Sequence, residues 1–551
     1  MNYKSFLPVI LSGGKVDRTL IPIVGEITTG LIPINKKPVI FYVIEQCMEM
    51  GFDKVAITVG FQGEKLKKIV SSFYGNKMKI YYVDVDYTKK PGNSIIKVVK
   101  DLNVDNILVI LADTIVNNLG NLLLDYHGMD SCVLVGEIED KLFSNFWSKA
   151  KIKNGEIVNV YEKDDEVEEA LPICGVYLFK SIREFEQIFQ KIESKDVEIS
   201  DIIKLYLRKN MKVAALKTKE WIDVGHIFTY YNAKTKMIQS RYFNHFIYNE
   251  DAGTIKKFSE NVEKLRDEIL WYLHIPQQLK AFIPKIIDYS IDGELFIEME
   301  YYGYPTLSEL FVYGDLTEDI WLLVLKRIFS IIETFKKYKG AVSYDEYKIM
   351  YIFKTLKRVE NAIKDNPLLK QLFSYDFLVI NGRKLKGWKY FSDKLEERVK
   401  FLYNPEDNTI IHGDLCFSNI LFDLNTGIIR LIDPRGRFGK NIIYGDIKYD
   451  LAKLSHSILG KYDYIINDLF EYSLNTNEIN FKFLVDINHD NHDMENSFKN
   501  LLVNAGYKIE DIRFIEALLF ISMLPLHKDR ADRQILMFSK GLELLNDFFE
   551  I

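Results

Sequence analysis

Four polar side chains in the C-terminal half have the types and spacing of a phosphoryl-transfer site: His412, Asp414, Asn419 and Asp433. An apolar run precedes each of the two loops that carry them. In such a site an aspartate orients a hydroxyl nucleophile and accepts its proton, while an asparagine and a second aspartate hold Mg²⁺ on the phosphates of ATP. These residues therefore predict phosphate transfer from ATP to a hydroxyl group, with Asp414 as the catalytic base and Asn419 and Asp433 as metal ligands.

Two departures separate this loop from that of protein kinases. Gly413 stands where those enzymes keep arginine, and Ile432–Gly436 reads Ile-Asp-Pro-Arg-Gly in place of Asp-Phe-Gly. Together with the Gly-Asp-x-x-x-Asp-Leu-Ala segment at 445–452, this part of the chain resembles the aminoglycoside phosphotransferase and choline kinase family. The resemblance implies a two-lobed α+β protein-kinase-like domain, in which His412 supports the loop and Asp450 is a buried structural acceptor.

The same fold needs a strand lysine above the nucleotide phosphates and a helix glutamate that fixes it. In the strand predicted over Thr254–Phe258, Lys257 is the first choice and Lys256 the second, with Glu268 as partner; solvated strand lysines are the alternative. The segment 295–301, which includes Glu300, resembles the family's hinge strand and is predicted to bind the adenine. Arg435 could meet a negative charge on the acceptor or be a solvated loop residue.

The N-terminal half alternates strand and helix patterns. An apolar strand over Leu7–Leu11 runs into Ser12-Gly13-Gly14, and glycines there let backbone N–H groups approach a phosphate. The alternation predicts a Rossmann-like α/β domain with a mostly parallel sheet covered on both faces. The predicted helices are Val39–Met50, Glu64–Phe73 and Ile95–Lys100, and the predicted strands are Val55–Val59, Ile80–Val83 and Ile107–Leu111.

Further motifs follow in order through this half: Gly92-Asn93-Ser94, Leu111-Ala112-Asp113, Tyr161-Glu162-Lys163, Cys174–Tyr177 and Trp221–Gly225. With the glycine loop, they resemble the sugar-phosphate nucleotidyltransferases over nearly all of residues 5 to 233. The resemblance implies that Mg²⁺ is held by Asp113 and Asp223. It also implies nucleotide binding by Gly13, Gly14 and Gly92, contact of Arg18 with the nucleotide phosphates, and contact of Glu162 and Lys163 with the sugar phosphate.

For the paired aspartates an alternative stays open: Asp113 as a turn residue at a strand end and Asp223 as a cap. The chain also departs from the family at Thr29-Gly30, where a phosphate-contacting Lys-Pro is usual. Lys15, Lys36 or Lys37 could substitute for that lysine. A nucleotidyltransferase fold that serves as a binding or scaffolding domain is therefore a second hypothesis.

Length and composition predict two domains, residues 1–238 and 239–551, in a globular chain of 551 residues with 48% hydrophobic and 27% charged residues. The net charge of -6 argues against a nucleic-acid partner. The N-terminus lacks an apolar signal region and no apolar run is long enough to insert into a membrane, so we expect a cytoplasmic protein. Four scattered cysteines predict small core residues, and a homo-oligomer stays open.

The combined prediction is a bifunctional enzyme. One half phosphorylates a small sugar or polyol with ATP, and the other couples that phosphate to a nucleoside triphosphate, with CTP favoured, releasing pyrophosphate. The product would be an activated precursor of a surface polysaccharide, an association based on the two families. The alternatives are a choline or amino-alcohol kinase with cytidylyltransferase activity, and a small-molecule kinase with an inactive nucleotide-binding domain.

Overall fold

A computed structural model describes residues 3–124, 129–137, 146–163, 167, 169–192, 194–238, 244–484 and 490–549. The chain forms two compact units. Unit 1 comprises Met1–Met237 and Tyr313–Asp315, and unit 2 comprises Ile238–Val312 and Leu316–Ile551. No helix in these ranges is both long enough and apolar enough to cross a membrane. The four cysteines are buried and unpaired, as predicted.

Unit 1 alternates strands with helices. Its strands are β1 (Leu7–Leu11), β2 (Pro33–Ile34), β3 (Lys37–Pro38), β4 (Lys54–Val59), β5 (Lys79–Asp84), β6 (Ile107–Leu111), β7 (Thr114–Val116), β8 (Ser131–Gly136), β9 (Lys149–Lys153), β10 (Glu156–Tyr161), β11 (Ala170–Phe179), β12 (Val213–Thr218) and β13 (Trp221–Asp223). Its helices are α1 (Ile21–Val24), α2 (Val39–Glu49), α3 (Gly63–Tyr74), α4 (Pro91–Leu102), α5 (Leu119–Leu124), α6 (Glu186–Ile192), α7 (Ile199–Arg208) and α8 (Ile227–Lys236).

Nine strands form the central sheet in the order β5-β4-β1-β6-β11-β8-β12-β10-β9. The first four run parallel, which explains why β1 and β6 are continuous apolar runs in the core. The prediction of a mostly parallel sheet is wrong, because β11 pairs antiparallel with β6, β8 and β9, and β10 pairs antiparallel with β12 and β9. Beyond β6 only β8 and β12 pair in parallel among the strands of this sheet that the structure describes. Between β9 and β10 the two-residue turn Asn154-Gly155, with positive φ at both residues, permits only a hairpin.

The predicted elements of unit 1 are present, with shifted ends. Helix α4 begins at Pro91, four residues before the predicted start at Ile95, because a proline in the first turn costs no helical hydrogen bond. Its buried residues and those of α7 pack on the sheet in one hydrophobic core. These helices cover the sheet and leave the loops that follow β1 and β6 to carry the polar motifs.

Unit 2 begins with strands and continues mostly with helices. Its strands are β14 (Asn244–Asn249), β15 (Thr254–Ser259), β16 (Ile286–Ser290), β17 (Phe296–Glu300), β18 (Phe377–Ile380), β19 (Arg383–Lys386), β20 (Asn408–Ile410), β21 (Ile420–Asp423), β22 (Ile428–Leu431), β23 (Arg437–Phe438), β24 (Asn441–Ile442), β25 (Tyr444–Asp446), β26 (Phe470–Asn475) and β27 (Glu478–Phe483). Its helices are α9 (Val262–His274), α10 (Leu307–Val312), α11 (Glu318–Lys336), α12 (Tyr344–Tyr347), α13 (Lys354–Asp365), α14 (Pro367–Ser374), α15 (Trp388–Ser392), α16 (Leu395–Leu402), α17 (Ile447–Ile458), α18 (Tyr462–Ile466), α19 (Asp490–Asn504), α20 (Ile509–Met523) and α21 (Ala531–Phe549).

An antiparallel sheet, β14-β15-β17-β16, and helix α9 form the first part of unit 2. The hairpin β21-β22 then presents the polar loops. Helix α17, buried along its whole length, packs against α20, and α20 packs against α21. A π-helix at Lys348–Phe353 leads directly into α13. Helix α20 ends at Met523, and a 3₁₀ turn follows at Leu524–His527, where Pro525 lacks an N–H to donate.

Candidate active sites

Unit 1 brings the two predicted metal ligands together. Asp113 lies between β6 and β7, and Asp223 ends β13. Strands β7 and β13 pair antiparallel with Asp223 opposite Thr114, and the N–H of Val224 donates to the carbonyl of Asp113 at 2.9 Å. This small ladder holds the two aspartates side by side although 110 positions separate them in the numbering (223 − 113).

Gly225 makes room for the two carboxylates. A Cβ atom at this position would lie 2.9 Å from Oδ2 of Asp113 and 3.4 Å from Oδ1 of Asp223. The N–H of Gly225 donates to Oδ1 of Asp223 at 3.4 Å. A larger residue would crowd both acidic groups, which gives a steric reason for the glycine at position 225.

The electrostatics of this pair favour a bound cation. Burial and then the charge of Asp223 raise the pKa of Asp113 to about 6, and burial raises the pKa of Asp223. Oδ2 of Asp223 is buried without a hydrogen-bond partner among the residues that the structure describes. Two repelling carboxylates fit Mg²⁺, whose remaining ligands are commonly water and substrate phosphates. Within the described ranges no group of three or more acidic, histidine or cysteine side chains is placed to hold a metal without such ligands.

The glycine loop after β1 is tightly held on one side. The carbonyl of Gly13 accepts from the N–H of Phe61 at 3.0 Å, and a Cβ on Gly13 would lie 2.4 Å from a methyl group of Val85. Gly14 has no heavy atom within 4 Å of such a Cβ, so one side of this glycine is open to a ligand. Arg18 lies in an exposed turn beyond the loop.

Two of the proposed substitute lysines are already engaged. Nζ of Lys15 lies 2.6 Å from Oε1 of Glu26, and Nζ of Lys37 lies 2.5 Å from Oε2 of Glu45. At the position of the family lysine, the backbone N–H of Thr29 donates to Gly14. A cation near the aspartates is instead provided by the exposed Lys163, whose charge opposes the pKa rise of both Asp113 and Asp223.

Glu162 and Gly92 have structural roles in this unit. Oε2 of Glu162 accepts from Ser148 at 3.3 Å, and its Oε1 accepts from Ser200 at the start of α7. Gly92 is buried in the first turn of α4, where a Cβ would lie 2.4 Å from the carbonyl oxygen of Val197. Close packing therefore explains the glycine, and its predicted contact with nucleotide stays a prediction.

In unit 2 three predicted residues meet in one ionic cluster. Nζ of Lys257 on β15 lies 2.8 and 2.7 Å from the two carboxylate oxygens of Glu268 on α9. It also lies 2.8 Å from Oδ1 of Asp433, which follows β22. Burial alone would lower the pKa of Lys257, but the charges of Asp433 and Glu268 raise it, so the lysine is charged.

The neighbouring Lys256 lies apart from this cluster because side chains alternate between the faces of a strand. Its Nζ is 3.7 Å from the centre of the Phe296 ring and 3.9 Å from Oε2 of Glu298. Of the two lysines, Lys257 therefore pairs with Glu268, and its contact with nucleotide phosphates stays a prediction. Glu300 ends β17, and its carboxylate accepts from the hydroxyl of Tyr302 at 2.8 Å.

Asp450 holds the loop that contains His412 and Asp414. Its two carboxylate oxygens accept from the backbone N–H groups of His412 and Gly413, each at 2.7 Å, as expected of a buried structural acceptor. Burial raises the pKa of Asp450 to about 7 and lowers that of His412 to about 4. His412 is therefore neutral near pH 7, and its Nδ1 accepts from the N–H of Asp414 at 3.3 Å, which agrees with a supporting role.

Both carboxylate oxygens of Asp414 form polar contacts with neighbouring side chains. Oδ1 lies 2.8 Å from Nζ of Lys453, and Oδ2 accepts from Nδ2 of Asn419 at 3.2 Å. Although burial alone would raise the pKa of Asp414, the charge and hydrogen bond of Lys453 hold it at about 2. The carboxylate is thus ionised and its orientation is defined.

Asn419 and Asp433 lie at adjacent ends of the β21-β22 hairpin, where the N–H of Ile432 donates to the carbonyl of Asn419 at 3.0 Å. An amide oxygen and a carboxylate are ligand types that suit Mg²⁺. Asp433 has φ +55°, a left-handed conformation that turns the chain toward α9, and Gly436 fits closely against the backbone of Asp267 there. Arg435 lies beside the catalytic loop, with its N–H donating to the carbonyl of His412.

Sequence reasoning missed three residues around Asp414: Lys453, Tyr449 and Lys354. Lys453 is three positions after Asp450, so the two share a face of α17, and this spacing was the available signal. The hydroxyl of Tyr449 accepts from Nζ of Lys354 at 3.1 Å and from Nη1 of Arg435 at 3.5 Å. Lys354 is far away in sequence and carries no motif that could have indicated this contact.

Residues 7–240 match the family described as Nucleotidyl transferase. The UTP–glucose-1-phosphate uridylyltransferase AglF of Haloferax volcanii is 26% identical over 40% of this chain and 90% of its own length. A UTP–glucose-1-phosphate uridylyltransferase of Synechocystis is 25% identical, over 41% of this chain and 61% of its own length. The inositol-1-phosphate CTP transferase of T. maritima has 12% identity and a TM-score of 0.37, and the match covers 42% of this chain and 96% of that protein. The family match over residues 7–240 supports the resemblance predicted for the N-terminal half.

Proposed function

We propose that the chain is a bifunctional enzyme in which unit 2 phosphorylates a small hydroxyl compound and unit 1 activates a phosphorylated compound with a nucleoside triphosphate. The nucleotidyl step is supported by the family match together with the paired Asp113 and Asp223. The kinase step is supported by one observation above all, the bridge of Lys257 to both Glu268 and Asp433. In phosphoryl transfer such a lysine contacts nucleotide phosphates and such an aspartate binds the metal.

In the proposed phosphorylation the acceptor oxygen attacks the γ-phosphorus of ATP, the bond to the β–γ bridging oxygen breaks, and ADP leaves. Asp414 orients the hydroxyl group and takes its proton. The carboxylate is suited to orientation because Lys453 and Asn419 hold one oxygen each. Lys257 binds the phosphates, and Asn419 with Asp433 would hold Mg²⁺. When bound, the ion offsets the phosphate charge.

In the proposed nucleotidyl transfer a phosphate oxygen of the substrate attacks the α-phosphorus of the nucleotide and pyrophosphate leaves. Asp113 and Asp223 would hold Mg²⁺ between the two anions. Gly13 and Gly14 would bind the nucleotide, with Arg18 on its phosphates. Lys163 and Glu162 would contact the sugar phosphate, and the charge of Lys163 acts on both aspartates.

The substrates that we propose for unit 1 are based on the names of the relatives. Two of them are named as acting with UTP on glucose 1-phosphate, and one as a CTP transferase of inositol 1-phosphate. We therefore propose that unit 1 acts on a sugar or polyol phosphate and uses a pyrimidine nucleoside triphosphate as its second substrate. Both CTP and UTP are candidates for that nucleotide. A role in making surface polysaccharide precursors, a cytoplasmic location and domain limits at 238/239 belong to the same proposal.

The alternative of an inactive unit 1 keeps one observation in its favour. Thr29-Gly30 replaces the family Lys-Pro, and Lys15 and Lys37 are both ion-paired. The test is pyrophosphate release by the full chain with each of four nucleoside triphosphates and a panel of sugar 1-phosphates, inositol 1-phosphate and phosphocholine. Absence of pyrophosphate release with every pair, in protein that still produces ADP from ATP and an acceptor, would support the scaffold hypothesis.

Crossed variants separate the two proposed sites. Asp414→Asn should lower ADP release by at least about 100-fold, because a general base contributes that much, and leave pyrophosphate release unchanged. Asp223→Asn should have the opposite effect. Asp101→Asn is the matched control, since Asp101 forms only an exposed pair with Lys97 and should change neither rate. Loss of both activities in either folded active-site variant would contradict two independent sites.

A further inference from the structure

Four basic side chains gather on one side of Asp414. Lys453 forms the ion pair with its Oδ1, and Lys354 and Arg435 both donate to the hydroxyl of Tyr449. Arg358 follows Lys354 by one turn of α13, and its Nη1 donates to the carbonyl of Ser522 at 2.9 Å. We call Lys354, Arg358, Arg435 and Tyr449 the basic cluster.

The cations of this cluster have no directly paired carboxylate among the residues that the structure describes. Asp414 is matched by Lys453, whereas none of Lys354, Arg358 and Arg435 forms an ion pair with a carboxylate in the described part of the chain. Burial lowers the pKa of Lys354 to about 7. Burial alone would raise the pKa of Tyr449, but the charges of Lys354, Arg435 and Lys453 lower it to about 7. The lowered pKa of Tyr449 is the shift expected where positive charges surround a hydroxyl group.

The cluster is connected to Asp414 through the pair with Lys453 and through helix α17. Oδ2 of Asp414 faces Asn419, and Oδ1 faces Lys453, which shares helix α17 with Tyr449. The nucleotide phosphates already have a proposed cation in Lys257, which lies on strand β15 and pairs with Asp433. The remaining cations are therefore placed for the other substrate, the acceptor.

The backbone gives a second reason to regard this region as a binding site. The π-helix at Lys348–Phe353 ends directly before Lys354, and such segments occur frequently at functional sites because they shift the residues that follow. Lys354 is held with its ammonium group 5.0 Å from the centre of the Tyr449 ring. An uncompensated lysine is held in place by an aromatic residue of another helix.

We propose that the acceptor phosphorylated by unit 2 carries an oxyanion, a carboxylate or a phosphate ester, which Lys354, Arg358 and Arg435 bind while Asp414 orients its hydroxyl group. This inference rests on the proposed phosphotransferase function. Arginine forks and ammonium groups suit both oxyanions. A cationic acceptor such as choline is disfavoured, because the cluster would repel it. The reaction converts the hydroxy acid or hydroxy phosphate and ATP into a phosphorylated product and ADP, and the hydroxyl proton passes to Asp414.

The test compares acceptors that share a carbon skeleton and differ in charge. The full chain is assayed for ADP release with glycerol, glycerate and glycerol 3-phosphate, with glucose, glucuronate and glucose 6-phosphate, and with choline. We expect kcat/KM to be about 10 to 100 times higher for an anionic member than for its neutral partner, as charged hydrogen bonds imply. The comparison of carboxylate with phosphate members identifies which oxyanion is preferred.

Variants then connect the preference to the cluster. Lys354→Met and Arg358→Met should each raise KM for the anionic acceptor about 10-fold or more and leave KM for ATP within about twofold. Lys357→Met is the matched control, because Lys357 is exposed on the same helix, and it should change neither constant. A rise in KM for ATP in place of the acceptor would overturn the inference by assigning the cluster to the nucleotide.

The outcomes distinguish the inference from the function on which it rests. If a neutral or cationic acceptor has a kcat/KM equal to or above that of its anionic partner, the inference is wrong and the kinase function stands. If no compound increases ADP release, in protein that binds Mg-ATP and keeps its pyrophosphate-releasing activity, the kinase proposal fails together with the inference.

Discussion

Nζ of Lys453 lies 2.8 Å from Oδ1 of Asp414, so the proposed catalytic base of unit 2 is paired with a buried cation from α17. The same helix carries Asp450, which holds the backbone of the catalytic loop. One helix therefore supplies both the anchor of the loop and the counter-charge of its carboxylate. This arrangement explains why Asp414 is ionised in a place where burial opposes ionisation.

Replacing Lys453 by methionine should move the acid limb of the phosphorylation pH profile upward. With Lys453 present the pKa of Asp414 is about 2, and without it burial is expected to raise that pKa by about two units or more. The measurement is kcat/KM for the acceptor between about pH 4 and pH 8. Lys453→Arg retains the charge and should keep the limb near its original position; an unshifted profile in Lys453→Met would contradict the role of this pair.

Replacing Lys257 by methionine should destabilise unit 2 and abolish phosphorylation. The change leaves Glu268 buried and unpaired, which costs roughly 3 kcal/mol or more. Lys256→Met is a matched control in the same strand, and its long pair with Glu298 is worth less than about 1 kcal/mol. Thermal denaturation and ADP release measure the two effects. Equal losses of stability and of ADP release in the two variants would contradict a specific role for the Lys257 pair.

Asp450→Asn tests the anchor of the catalytic loop. An asparagine retains one acceptor oxygen but turns an NH₂ group toward the second backbone N–H, so one of the two 2.7 Å bonds is lost. We expect a loss of about 1–3 kcal/mol in unfolding free energy and a fall in kcat for phosphorylation. Pyrophosphate release should persist. Unchanged hydrogen exchange at His412 and Gly413 would argue against the anchor.

The aspartate pair of unit 1 should give metal-free protein a stability that falls with pH. Because the pKa of Asp113 is about 6 when folded, above its ordinary value of 3.8, its favourable contribution is complete below about pH 4 and is lost as pH rises through 6. The loss should total roughly 3 kcal/mol, of which about 1 kcal/mol falls between pH 5 and pH 7, and Asp113→Asn should remove it. Thermal denaturation in EDTA at about pH 5 and 7 compares the two proteins.

Magnesium provides the complementary measurement on the same pair. A cation bound by ionised carboxylates should raise the thermal midpoint of the wild-type chain at about pH 7 by mass action. Asp223→Asn should reduce this increase, and Asp101→Asn should preserve it because that residue lies in an exposed helical pair. An equal Mg²⁺ response in all three proteins would place the ion elsewhere.

Local patterns predicted much of unit 1. Apolar runs correctly marked β1 and β6, and the order of short motifs indicated the nucleotidyltransferase family that residues 7–240 match. The mixed sheet was not predicted. The Asn154-Gly155 turn indicates one antiparallel pair, β9 with β10, but the pairing of β11 with β6 depends on contacts distant in sequence. Strand direction is decided by such pairings, whereas strand existence is visible in a single run of residues.

The sequence by itself determined which residue types could transfer phosphate. The spacing of His412, Asp414 and Asn419 and the order of the motifs that contain Asp113 and Asp223 can be read directly from the chain. Only the tertiary structure decided which charges meet. It selected Lys257 over Lys256 through the alternation of a strand, and it brought Lys354 and Lys453 to the surroundings of Asp414 from two separate helices. The physical reason is that electrostatic interactions depend on distances in space, and packing of the helices sets those distances.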